Sequence, residues 1–426
     1  MTPCGVSMSY NCVSRFYVTV FATLVANAAV AVEMSEPKDV PPLFAEGEVR
    51  TAEEWRNVRW PAVKKLLESE VYGRRPVERP PHLVFSALEP EAVVMDGAAV
   101  RKRVCVEYGG AFGTNSFTFT AFIPQQEDPA PSFVFICNRP LEEVIGPTRC
   151  VKSGFWPAEE IVARGYAAIA FAFDEVTPDR EHGNTLGVFA AFENVAAKYR
   201  PYDKWGALSA WGWAASRVLD WIETEPSLDA KHVAVIGHSR GGKTALVAAA
   251  WDERFAMVCS NDSGCGGAKL HHADLPNSEM ISHSICSRAF WYCNRYRMWA
   301  NRDKETPFDQ HMLVAMIAPR LVCIGSATED PWAGPCGEYL TARLASEAWR
   351  VFGRKGLVSD GFPAPETPQQ DGDISYHLRR GEHDLTPYDW NVYMDFADRH
   401  GWRGETCSRK RVTKPVGTRD HCKTAL

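Results

Sequence analysis

The chain has 426 residues, 45% of them hydrophobic and 23% charged, with a formal net charge of −6. Such a composition suits a folded protein with a sizeable core and excludes the disordered and fibrous classes. The acidic balance also argues against a nucleic-acid interface, which presents a strongly basic face.

At the N-terminus, a short polar start with Arg15 precedes an apolar run from Phe16 to Val32 containing the small-residue site Ala29-Val30-Ala31. This pattern predicts a signal peptide over residues 1–31, cleaved on export to the periplasm or the exterior. A membrane anchor is the competing reading, but the run is shorter than the roughly 20 residues a span requires, and no second apolar stretch follows. The mature protein is therefore expected to be secreted or periplasmic, off the membrane and monomeric. Of 13 cysteines, Cys4 and Cys12 leave with the signal, and the eleven that remain permit disulfides but guarantee at least one unpaired thiol. Their spacings match no zinc pattern, so neither a metal nor a cofactor is expected.

Thr51 and Glu54 read as a capping box, and Pro61 suits the first turn of a helix running to about Glu70. Strand-like segments follow at 100–108, 117–123, 132–137 and 166–173, each closed by Gly, Pro, Asn or Asp, the first two forming a hairpin. From Ala207 to Glu223, Leu208, Trp211, Ala215, Val218 and Leu219 recur at helical spacing. After the apolar strand 232–236 and the small-residue helix 243–251 come strands at 257–260, 321–324 and 374–377. Strand alternating with helix predicts a three-layer αβα sandwich around a mostly parallel twisted sheet, in one domain spanning 32–426. Residues 403–426 carry Arg403, Arg409, Lys410, Arg411, Lys414, Arg419 and Lys423 with little apolar content, and read as a solvated basic tail in which Cys407 and Cys422 could pair.

The chemistry starts at Gly237-His238-Ser239-Arg240-Gly241, a G-x-S-x-G between a strand and a helix. That setting makes it a nucleophile elbow, in which the glycines let the backbone close while the serine hydroxyl projects over the sheet edge. A serine hydroxyl needs a base, and the base a third group that fixes its tautomer. Among the histidines C-terminal to Ser239, His383 fits the base, lying in Gly381-Glu382-His383-Asp384 just after the last strand. His377, within that strand, and His311 read as structural. Two carboxylates compete to orient the base: Asp262, after the strand that follows the nucleophile helix, and Asp330, after the next strand.

The run Gly237 to Lys243, followed by Asp252-Glu253-Arg254-Phe255 and Asn261 to Gly267, resembles the bacterial glucuronoyl esterases of carbohydrate esterase family 15. Segments 60–76, 205–222, 307–320, 330–338 and 381–390 agree, so the resemblance covers most of the mature chain. It implies an α/β-hydrolase that splits esters of 4-O-methyl-glucuronic acid on xylan, as in lignin-carbohydrate linkages, through an acyl-enzyme and without a metal. It further implies that Ser239 attacks, that His383 shuttles the proton and that Arg240 serves the oxyanion. Asp262 is expected as the main orienting acid, with Asp330 as a second or substituting partner. Lys243, Glu279 and Trp332 fall at the positions by which the family holds the sugar. Segment 271–278 departs from the family pattern. Rival readings are an acetyl xylan esterase or general carboxylesterase, and a catalytically idle carbohydrate-binding relative.

Overall fold

A computed structural model describes residues 37–44, 50–146, 148–197, 199–273 and 275–403. The expected signal peptide, Cys407, Cys422 and all of the basic tail beyond Arg403 lie outside the described residues. No helix among the described residues is long and apolar enough to cross a membrane.

Ten strands form one sheet: β1 (His82–Ala87), β2 (Ala92–Val94), β3 (Ala99–Gly110), β4 (Gly113–Pro124), β5 (Ala130–Cys137), β6 (Ala167–Ala172), β7 (Leu228–His238), β8 (Met257–Asn261), β9 (Leu321–Ala327) and β10 (Ile374–Arg379). The order across it is β1-β3-β4-β6-β5-β7-β8-β9-β10, with β2 paired to β3. From β6 to β10 the strands are parallel, while β3 and β4 make the expected antiparallel hairpin. β1 and β2 are additional to the strands expected from sequence. Their residues are mostly exposed or half-buried, so the hydrophobic signal that marks the central strands is weak in them.

The parallel strands are buried on both faces, which explains their near-continuous apolar runs. Side chains of period two sort into two layers. Val134 and Ile136 of β5 join one cluster with the helices Ala207–Ile222, Arg240–Trp251 and Pro335–Arg350. Phe133 and Phe135 join the other, with the helices Ala158–Ala163 and Pro387–Arg399. The helix Ala207–Ile222 is buried throughout, and Trp211 donates its indole N–H to the Thr177 carbonyl at 2.9 Å. Near the N-terminus the Thr51 hydroxyl accepts the Glu54 N–H, and Pro61 sits in the first turn of the helix Trp60–Leu67. Trp60 then ties that helix to the body through the Met316 carbonyl at 3.0 Å.

The nine described cysteines, Cys105 through Cys336, are free thiols, so any disulfide permitted by the count lies outside them. His311 and His377 are fully enclosed, as expected of structural histidines. Burial lowers the His311 imidazole to about 4, and His377 bonds Asp389 at 2.8 Å.

Candidate active site

The loops that leave the C-terminal ends of β5, β7, β8, β9 and β10 gather Arg139, Ser239, Asp262, Asp330 and His383 along one edge of the parallel sheet. That edge is where open α/β sheets place their ligands. Ser239 itself has φ 56° and ψ −124°, a left-handed conformation that costs a non-glycine residue about 1–3 kcal/mol. The turn is held by the Ser239 N–H donating to the Asn261 carbonyl at 2.8 Å and by the bareness of its glycines. A Cβ on Gly237 would lie 2.1 Å from the Gly241 carbonyl oxygen.

The helix Arg240–Trp251 begins at this turn, so its first N–H groups have no intrahelical acceptor and its positive dipole end faces the serine. Arg240 is fixed beside them by an ion pair with Asp179 at 2.6 Å and by donation to the Asn138 carbonyl at 3.1 Å. Asp179 in turn accepts the Trp291 indole N–H at 2.6 Å. The motif thus sets one cationic donor group and several backbone donors beside the Ser239 turn.

His383 reaches this point from the far end of the chain. Its ring lies 4.4 Å from that of His238, the residue next to the nucleophile. Burial, and then the nearby His383, hold the His238 imidazole well below its ordinary range, so it stays neutral and bonds the Asn261 carboxamide oxygen at 2.6 Å. The His383 side chain is 42% exposed, which leaves the reaction centre open at the surface.

The expected ranking of the two acids is reversed by the geometry. His383 Nδ1 meets Asp330 Oδ2 at 2.5 Å, leaving Nε2 for the serine side. Asp262 lies close by, with one oxygen within 4.8 Å of the Asp330 and His383 ligand atoms, but no hydrogen bond joins it to the imidazole. Its short side chain turns instead to Arg379, at 3.2 Å. The two carboxyls also differ in charge. Burial pushes Asp330 up, but the His383 hydrogen bond, the His383 charge and the Ala333 N–H outweigh it and leave the group below its ordinary value. Burial followed by the adjacent Glu338 drives Asp262 well above the carboxylate range, and Arg379 does not offset them.

Arg379 and Glu338 are the parts of this site that sequence reasoning missed. Arg379 ends β10 and donates to the carbonyls of Glu382 at 2.5 Å and Asp384 at 2.6 Å, clasping the loop that presents His383. Glu338, at full burial, accepts the N–H groups of Ser263 at 2.8 Å and Gly264 at 2.9 Å and so braces the turn after Asp262. A buried arginine at a strand end is the only sequence signal for the first, and nothing local marks the second.

Burial raises the Glu338 carboxyl from 4.5 to about 7 despite its hydrogen bonds from Ser326, Gly264 and Ser263. The folded protein therefore keeps this proton over a range where the unfolded chain has released it. The resulting stabilisation is complete below pH 4.5 and is lost as pH rises to about 7, by up to about 3 kcal/mol. Glu338→Gln keeps the acceptor oxygen and removes the titration. Urea unfolding of the two proteins at several pH values is expected to show wild type losing stability relative to the variant across that window. Parallel curves would refute the assignment.

The three expected sugar contacts lie together beyond the elbow. Lys243 Nζ contacts Glu279 Oε2 at 2.9 Å and the Cys265 carbonyl at 2.5 Å, leaving a third N–H and Glu279 Oε1 without partners among the described residues. The Glu279 N–H donates to the Trp332 carbonyl at 2.8 Å. Trp332 is 48% exposed, its ring 4.9 Å from that of His283. Because Ala333 N–H caps Asp330 at 3.1 Å, one tight turn carries both the acid that meets His383 and this indole.

A mostly parallel sheet covered on both faces, with a strained serine between β7 and its helix, is the α/β-hydrolase architecture. Comparison with known proteins narrows the class. Residues 137–353 match the family described as glucuronyl esterase of fungi. A carbohydrate esterase from an unknown prokaryotic organism is 34% identical over 379 residues, 83% of this chain and 86% of that protein. The 4-O-methyl-glucuronoyl methylesterase of Podospora anserina is 28% identical over 228 residues, 52% of this chain and 46% of that one. Among solved structures, the glucuronoyl esterase from Solibacter usitatus superposes with a TM-score of 0.78 at 30% identity, covering 87% of this chain and 98% of its own. The chain belongs to the glucuronoyl esterase family, carbohydrate esterase family 15.

Proposed function

We propose that this protein hydrolyses esters of glucuronic acid borne on xylan, including those that join the carboxyl of 4-O-methyl-glucuronic acid to lignin alcohols, by a two-step acyl transfer. The observation that carries the reading is the strained Ser239 at an elbow whose neighbouring residue touches the ring of an Asp330-bonded His383. In the first step His383 Nε2 takes the proton of the Ser239 hydroxyl as its oxygen attacks the ester carbonyl, and the imidazolium then protonates the departing alcohol. Water repeats the sequence on the acyl-enzyme, releasing the uronic acid and restoring serine. Asp330 holds the imidazole tautomer and opposes the charge it gains. Lys243, Glu279 and Trp332 hold the sugar, while the open reaction centre admits a polymer. Export fits a substrate found in plant cell walls outside the cell.

Arg240 acts on the tetrahedral oxyanion in this scheme. Arg240→Met is expected to lower kcat about 10²–10³-fold with KM within a few-fold, since the contact is made only in the transition state. A change confined to KM would assign the guanidinium to ground-state binding.

The substrate class is tested by comparing methyl glucuronate with acetylated xylan. Hydrolysis of the uronate ester is expected to dominate, with Lys243→Met raising KM for it alone. Comparable kcat/KM on both substrates would favour an acetyl or general carboxylesterase.

A further inference from the structure

Arg240 is the cation that the proposed mechanism sets at the oxyanion, yet its side chain is long, flexible and 31% exposed. Among the described residues, its polar side-chain contacts come from outside the elbow. Nε pairs with Asp179 Oδ2 at 2.6 Å, and Nη2 donates to the Asn138 carbonyl at 3.1 Å. Nη1 makes no hydrogen bond with the described residues, which leaves it for a charge that appears later.

Asp179 is a fixed point. It follows the short helix Phe173–Val176, and its own N–H donates to the Asp174 carboxylate at 2.7 Å. The neighbouring Thr177 is pinned twice: its carbonyl accepts the buried Trp211 indole N–H, and its hydroxyl donates to the Gly183 carbonyl at 2.7 Å. A Cβ on Gly183 would lie 2.0 Å from the Pro178 carbonyl oxygen, so the loop closes on itself where only glycine fits.

The Asp179 side chain is 10% exposed, and an enclosed carboxylate needs a partner on each oxygen. Oδ2 meets Arg240, while Oδ1 accepts the indole N–H of the buried Trp291 at 2.6 Å. The Trp291 ring centroid lies 5.8 Å from Lys243 Nζ, so the same indole borders the expected sugar contacts. An exposed ion pair on its own is worth little. This pair differs, because the carboxylate is enclosed and Trp291 orients it independently of Arg240.

We propose that Asp179 is a positioning residue of the esterase: braced by Trp291, its carboxylate selects the Arg240 rotamer that offers Nη1 to the tetrahedral oxyanion. This rests on the acyl transfer proposed for Ser239. Two effects oppose each other here. Without the carboxylate, Arg240 is a less neutralised cation, which favours the oxyanion, but its tip is free to swing into solvent. A donor stabilises a transition state by being in place before the charge forms, so the loss of position outweighs the gain in charge.

Asp179→Asn keeps the side-chain shape and an oxygen for the Trp291 N–H but removes the ion pair, and Trp291→Phe keeps a ring beside Lys243 but removes the N–H. The substrates are methyl glucuronate and 4-nitrophenyl acetate, which develops the same oxyanion without a sugar. On both, Asp179→Asn is expected to lower kcat about 10–30-fold with KM within about two-fold, and Trp291→Phe to lower kcat about 3-fold. In an Arg240→Met background each substitution is expected to change kcat by less than about two-fold, because no guanidinium is left to place. Losses that multiply in that background would overturn the proposal and mark Asp179 as structural. A kcat for Asp179→Asn equal to or above wild type would overturn it in favour of charge over position. Should Asp179→Asn fail to fold, the cycle of Trp291→Phe with Arg240→Met reads the same coupling. Wild type that cleaves 4-nitrophenyl acetate but not methyl glucuronate would refute the proposed function alone, and the cycle on the acetate would still decide the role of Asp179.

Discussion

Ser239→Ala and His383→Ala are each expected to cut kcat on a glucuronate ester by about 10⁶-fold, and the double variant by no more than either alone. The two side chains act as one device, so removing either leaves only the oxyanion donors and substrate binding, and KM changes little. Steady-state kinetics on the three variants checks this. Multiplicative losses in the double variant would show that the groups act separately. The elbow adds an independent readout, because Ser239 pays for its left-handed backbone and glycine does not. Ser239→Gly is therefore expected to be equally inactive yet more stable than wild type by about 0.5–1 kcal/mol in urea unfolding, whereas a serine held by packing alone would lose stability on the same change.

Asp330→Asn is expected to lower kcat about 10⁴-fold, and Asp262→Asn less than about 10-fold. An asparagine amide at 330 would donate to His383 Nδ1 and force the ring proton onto Nε2, where it blocks proton transfer from serine. At 262 the change is nearly isosteric, because burial and Glu338 already keep that carboxyl well above the usual range and favour its neutral form. Parallel measurement of kcat, KM and unfolding for both variants decides between the acids. A larger loss at 262 would reverse the order drawn from the hydrogen bonds.

The elbow was legible because its causes are local. An apolar strand, two flanking glycines and a small-residue helix lie within one short stretch of chain, and together they impose the turn at Ser239 whatever surrounds them. His383 was legible for a similar reason, since a glycine-led loop after the last strand has few places to go at the sheet edge. The central parallel strands could be read from their continuous apolar runs, whereas β1 and β2, paired at the sheet margin and half-solvated, gave no such pattern.

The sequence by itself determined the hydrolase architecture and the elbow at Ser239, and it singled out His383 as the proposed base, because these follow from short-range backbone constraints and from hydrophobic periodicity. Only the tertiary structure decided which aspartate meets the histidine in a hydrogen bond. Both acids follow neighbouring strands, and the choice turns on a competition over a few ångströms in which Arg379 draws Asp262 away while the turn at 330–333 carries Asp330 to the ring.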